Sequence, residues 1–155
     1  MKKVCVATAR EVGRECQKIA KEMLRNSKKF VLTDDMHGCD IFISVLYDKI
    51  VPIDFINKRA CYNFHPGILP EYRGAGTFSW SIINKEVEAG ITLHVIDEGI
   101  DSGDIIEIRK FPITETDTAH SLFKKGEETI VQMFKERFGD LINGMVCPVP
   151  QDETG

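Results

Sequence analysis

Asn63, His65 and Asp101 carry the types of side chain that could do chemistry together. Asn63-Phe64-His65-Pro66-Gly67 closes a β-rich run and opens into a loop that also holds Pro70, Gly74 and Gly76. Pro66 bars the helical region for His65 and offers no backbone donor, so this imidazole is held rather than mobile. Asp101 lies in Asp97-Glu98-Gly99-Ile100-Asp101-Ser102-Gly103-Asp104, which ends a second strand-like run. An amide, an imidazole and a carboxylate delivered by two strand ends make an acyl-transfer constellation. Each has a plainer reading alone: Asn63 and Asp101 as turn formers, His65 as a loop histidine.

The surrounding pattern supplies elements to position them. Residues 3–9 read as a short buried strand, and residues 10–28 place Cys16, Ile19, Ala20, Met23 and Leu24 on one helical face. Phe30-Val31-Leu32 is a second strand. The near-continuous apolar run 40–47 suits a central parallel strand covered on both faces. Pro52 suits the first turn of a short helix, and residues 60–64 form the next strand. Thr77 is expected to cap a helix holding Phe78, Ile82 and Ile83, with Trp80 as core. Residues 88–96 alternate as a strand in which His94 reads as a structural histidine. Residues 105–111 return antiparallel to it. Thr116-Asp117-Thr118 starts a long helix weakened modestly by Gly126, and Gly139 and Gly144 end it.

Alternating strands and helices followed by a hairpin predict an α/β fold, a mostly parallel sheet with flanking helices. Ligands on such sheets bind at the carboxyl ends of the strands, where Asn63, His65 and Asp101 all fall. Residues 1–145 are expected to form a single domain and residues 146–155 a loose tail.

At 155 residues the chain is long enough for one proper core. A net charge of −4, with 28% charged and 43% hydrophobic residues, argues against broad binding of nucleic acid or anionic membrane. No apolar run approaches the roughly eighteen residues that cross a bilayer. Five scattered cysteines without a Cys-x-x-Cys pair read as reduced, mostly buried thiols in the cytoplasm, with no metal site.

Several ordered segments carry a family resemblance. They are Ser44-Val45-Leu46-Tyr47-x-x-Ile50-Val51-Pro52, Asn63-x-His65-Pro66-x-x-Leu69-Pro70-x-Tyr72-Arg73-Gly74, Trp80-x-Ile82-Ile83-Asn84, and Gly90-Ile91-Thr92-Leu93-His94-x-Ile96 running on through Ile105. At these residues the chain resembles the folate-dependent formyltransferases, which include glycinamide ribonucleotide transformylase, methionyl-tRNA formyltransferase and the sugar N-formyltransferases. The wording around Tyr72 and Asp97 looks closest to the last group.

That resemblance implies a Rossmann-like formyltransferase fold with catalytic Asn63, His65 and Asp101. It implies folate binding by Asp48, Lys49, Ile50 and Val51, by Gly67, Ile68, Leu69 and Pro70, and by Ile96, Asp97, Glu98 and Gly99. Tyr72, Arg73 and Gly74 become candidates for the acceptor. The co-substrate would be 10-formyltetrahydrofolate, without metal, and the acceptor a primary amine. Asn63 and His65 would stabilise the oxyanion, and Asp101 would orient His65 and pass a proton to the departing folate nitrogen. Thr8-Ala9-Arg10-Glu11-Val12-Gly13 is a poor copy of the family's phosphate loop, and one βα unit looks trimmed. The appended tRNA-gripping domain of the methionyl-tRNA enzymes is expected to be missing. The acceptor is therefore expected to be a small amine, an amino sugar above all, with part of its surface supplied by a partner subunit of a homo-oligomer. Hydrolysis of formylfolate and an idle folate-binding subunit are the alternatives.

Overall fold

The computed structural model describes residues 1–152. Six strands among them form one sheet in the order β2-β1-β3-β4-β5-β6. The strands are β1 (Lys2–Ala7), β2 (Phe30–Leu32), β3 (Ile41–Val45), β4 (Ala60–Pro66), β5 (Glu88–Val95) and β6 (Ile105–Pro112). β1 to β4 pair in parallel; β4–β5 and β5–β6 are antiparallel. The helices are α1 (Glu11–Met23), α2 (Ile53–Ile56), α3 (Thr77–Ile83) and α4 (Ala119–Ile142). All five residues of β3 are buried, as its unbroken apolar run requires of a central parallel strand.

The two faces of the sheet are covered unequally, and this creates the site. On one face α1 and α4 bury Val12, Cys16, Leu122, Ile130, Phe134 and Phe138 against Tyr62, Phe64, Ile91 and Leu93. Full burial of each large apolar side chain contributes roughly 1.5–3 kcal/mol. The other face carries a smaller cluster of Cys5, Cys39, Phe42, Phe55 and Cys61 beneath the four-residue α2. Strand alternation puts Asn63 and His65 on that second face with Cys61, beyond the cover of α2.

α4 is capped by Thr118, whose hydroxyl accepts from Ser121 N while Thr118 N donates to Ser121 Oγ. It continues through Gly139 and ends at Ile142, with Asn143 as C-cap and Gly144, at φ 65°, following directly as expected. Gly126 marks close packing, since a Cβ there would lie 2.9 Å from the Phe78 ring. The Thr77 cap is corrected: Gly76, at φ 70°, is the N-cap, and the Thr77 hydroxyl instead donates to the Pro66 carbonyl. Trp80 is also corrected. α3 turns Phe78 and Ser81 inward, leaving Trp80 56% exposed.

Nor is the tail loose. Val149 pairs with Ile105 through two backbone bonds of 2.7 and 2.8 Å, and Gln151 docks onto the loop before β6. The rest of that expectation, at 153–155, lies outside the described residues. Cys5, Cys16, Cys39 and Cys61 are buried free thiols, and Cys147 is exposed. No helix among the described residues is long and apolar enough to cross a membrane.

Candidate active site

β4 extends two residues past its expected end, so His65, like Asn63, stands within the strand rather than after it. Each faces a residue of β5: Asn63 opposes His94 and His65 opposes Thr92. A register shift at Leu93/His94 marks a bulge in the β5–β6 ladder, a feature that re-aims side chains near functional sites. Asp101 comes from the opposite direction. Because β5 runs antiparallel, its last residue Val95 pairs with Tyr62, near the start of β4. The loop 96–104 must fold back over the open face to bring Asp101 to the histidines.

Asp101 lies between two imidazoles. Its Oδ2 is 3.5 Å from His65 Nδ1 and its Oδ1 3.6 Å from His94 Nε2. Gly74 N donates to Oδ2 at 2.9 Å. Asp101 has a φ of 51°, a left-handed conformation that costs a non-glycine residue roughly 1–2 kcal/mol. Such strain gathers at functional sites.

The hydrogen-bond partners fix how each ring carries its proton. A carbonyl can only accept, so His65 Nε2 donates to Tyr72 O at 2.6 Å and His94 Nδ1 donates to Val95 O at 2.8 Å. In the neutral rings the remaining nitrogens, His65 Nδ1 and His94 Nε2, are basic, and both face the same carboxylate. Asn63 Nδ2 donates to His94 Nε2 at 3.2 Å. A proton placed on either of these nitrogens turns its contact with Asp101 into an ion pair, at His94 in place of the bond from Asn63. The arrangement has the geometry to accept a proton and hold it between the two rings.

Burial is the largest influence on His65 and lowers its pKa. Asp101 and the Tyr72 carbonyl pull upward, His94 adds to the lowering, and the imidazole ends below its ordinary value. For Asp101, burial pushes upward but is outweighed by the His94 imidazole, the His65 charge and the Gly74 N–H. Its carboxyl ends below the usual range, and the group is ionised at neutral pH.

A cleft of about 610 Å3 opens beside these groups. Residues 48–51 form one wall and residues 96–101 another, with Asn63 and His94 between them. The first and third segments expected to bind folate therefore face one cavity. Gly67, Ile68, Leu69 and Pro70 are not on its wall. They brace it from behind: Thr92 Oγ1 donates to Gly67 O at 2.7 Å and accepts from Leu69 N at 3.2 Å. Gly67 is required there, since a Cβ would fall 2.8 Å from Tyr72 O and 2.9 Å from His65 Nε2. His65 sits behind Asp101 rather than on the cleft wall.

Tyr72, Arg73 and Gly74 do not line the cleft either. Besides the contacts of Tyr72 O and Gly74 N, Tyr72 Oη donates to Glu86 at 2.9 Å and Arg73 donates to Gln151 at 2.8 Å. The histidine that reaches the cavity is His94, which sequence reasoning took for structural. A larger hollow of about 870 Å3 lies at the opposite end of the strands, beside Lys28, Lys29 and Asn143, and contains none of these groups.

Residues 7–137 match the formyl transferase family. The methionyl-tRNA formyltransferase of Sorangium cellulosum is 34% identical over 117 residues, 74% of this chain and 38% of that protein. The GDP-perosamine N-formyltransferase of Brucella melitensis is 37% identical over 134 residues, 79% of this chain and 52% of that protein. The chain thus spans about half or less of these relatives' length. The N-formyltransferase of Helicobacter canadensis, solved with folinic acid and dTDP-3-aminofucose, superposes with a TM-score of 0.83 at 26% identity, covering 99% of this chain and 69% of that one. Matched over most of its length, on the same six-stranded fold, the chain belongs to the formyl transferase family.

Proposed function

We propose that the chain is the catalytic part of an N-formyltransferase that moves a formyl group from 10-formyltetrahydrofolate to the primary amine of a small molecule, an amino sugar. The observation that carries this reading is the convergence of Asn63, His94 and Asp101 on one cleft, with His65 joined to Asp101 from behind. Family membership supports the formyl donor. The perosamine-formylating relative and the aminofucose complex favour a nucleotide-linked amino sugar as acceptor, whereas the methionyl-tRNA formyltransferase relatives act on a different amine. The described residues 1–152 act as one catalytic unit, the tail included through Val149 and Gln151, in the cytoplasm, where the free buried thiols stay reduced.

The pterin end of the folate lies in the cleft between residues 48–51 and 96–101. Attack of the amine on the formyl carbon forms one C–N bond and places negative charge on the formyl oxygen. The Asn63 amide donates to that oxygen; one well-placed donor is worth roughly 3–4 kcal/mol in the transition state. The nitrogen of the attacking amine, now cationic, must lose a proton. His94 Nε2 accepts it directly or through water, and ionised Asp101 stabilises the imidazolium with His65 behind it. The same proton then goes to the folate nitrogen as the second C–N bond breaks. Atoms balance: formamide and tetrahydrofolate are the products.

A steady-state assay with 10-formyltetrahydrofolate, with and without nucleotide-linked amino sugars, tests this. Tetrahydrofolate release that depends on the amine supports the proposal. Release without amine makes the chain a hydrolase, and folate binding without turnover makes it an idle binding subunit; either overturns it.

A further inference from the structure

Something must hold Asp101 in its left-handed conformation. Inside the loop, Asp97 Oδ1 accepts from Gly99 N at 3.0 Å and from Ser102 Oγ at 2.7 Å. Those bonds leave the carbonyls of Asp101 and Gly103 to other donors. Both accept, at 2.8 Å each, from the side-chain Nε2 of Gln151. The other end of that amide, Oε1, accepts from Arg73 Nη2 at 2.8 Å and Nε at 3.3 Å. Arg73 stands between Tyr72, whose carbonyl holds His65, and Gly74, whose N–H holds the Asp101 carboxylate. The two strand bonds between Val149 and Ile105 bring Gln151 to this place. One planar amide therefore joins the two loops that grip the carboxylate, using both donor hydrogens and its acceptor.

We propose that Gln151 is a positioning residue of the site: its amide clamps the Asp101 peptide to segment 72–74 and aims the carboxylate between His65 and His94. The catalytic consequence rests on the formyl-transfer reading above. The aim of the carboxylate does not, and is measurable without turnover. Asp101 and His94 are the titratable groups facing His65.

The test is a histidine titration by 15N NMR on the full chain as wild type, Gln151→Met, Asp101→Asn and the double variant. Gln151→Met keeps length and bulk but donates nothing. Should it fail to fold, Gln151→Glu, which keeps an acceptor for Arg73 and loses both donors, takes its place. Asp101 favours protonated His65, so Asp101→Asn lowers the His65 midpoint. Gln151→Met moves it in the same direction by half or more of that shift, and has no effect once Asp101 is Asn. An unmoved midpoint in Gln151→Met, or an equal shift with and without the carboxylate, overturns the proposal. In the formyl-transfer assay Gln151→Met lowers kcat about tenfold, as a slightly misplaced group does, with the KM for folate unchanged. A wild type that transfers no formyl group defeats the functional reading, while the titration still decides the clamp.

Discussion

Two histidines on neighbouring strands of the same sheet face have opposite fates. His65, on β4, follows a strong motif, is pinned by the Tyr72 carbonyl and is shut behind Asp101. His94, on β5, sits in an ordinary alternating strand and reaches the cleft at a bulge. Both rings are almost fully buried, and of the two it is the less conspicuous His94 that lines the cleft. Asp101 serves both, so the two rings differ in access rather than in partner.

That contrast can be broken at several points. The largest effect belongs to the shared group: Asp101→Asn should lower formyl transfer about a thousandfold, measured as kcat, because neither imidazolium keeps its counter-ion. His65→Ala and His94→Ala should each cost about a hundredfold in turnover, in line with loss of an acid/base group. They separate by binding: fluorescence titration with a folate should leave the Kd unchanged in His65→Ala and weaken it in His94→Ala, since only His94 lines the cavity. Equal effects on binding would erase the distinction.

Smaller changes act through packing and titration. Gly67→Ala should destabilise the protein by about 1–3 kcal/mol in urea unfolding, because its methyl meets Tyr72 O and His65 Nε2. Gly126→Ala should cost less, since crowding of Phe78 is partly offset by about 1 kcal/mol of better helix propensity. The depressed pKa of His65 gives a milder pH dependence. Its folded value lies below the ordinary imidazole value of about 6.5, so its contribution to stability is full above that pH and falls as acid protonates the unfolded chain first. Asp101 acts in the same direction at lower pH. Chemical unfolding from pH 8 to pH 5 should show this decline, and Asp101→Asn should shift the acid limb of the rate profile to lower pH.

Much of the scaffold was legible because local chemistry dictates it. The apolar run of β3, the helical stripe of α1 and the start of α4 at Thr116-Asp117-Thr118 are read from neighbouring residues alone. Asn63, His65 and Asp101 were legible as a set, but their arrangement was not. The opposition of Asn63 and His94 depends on the β4–β5 register, thirty-one residues apart, which no local pattern encodes. The fold-back of loop 96–104 follows from the antiparallel direction of β5. Gln151 lies in a polar stretch that reads as tail until Val149 is seen to pair with Ile105. Trp80 was misplaced because α3, at seven residues, turns another face inward.

The most direct measurement follows the carbon itself. With 10-formyltetrahydrofolate carrying 13C in the formyl group, the wild-type chain should convert a nucleotide-linked amino sugar into a 13C-labelled formamide, and Asp101→Asn should not. Label appearing only as formate, or the same formamide yield from Asp101→Asn, would contradict the account.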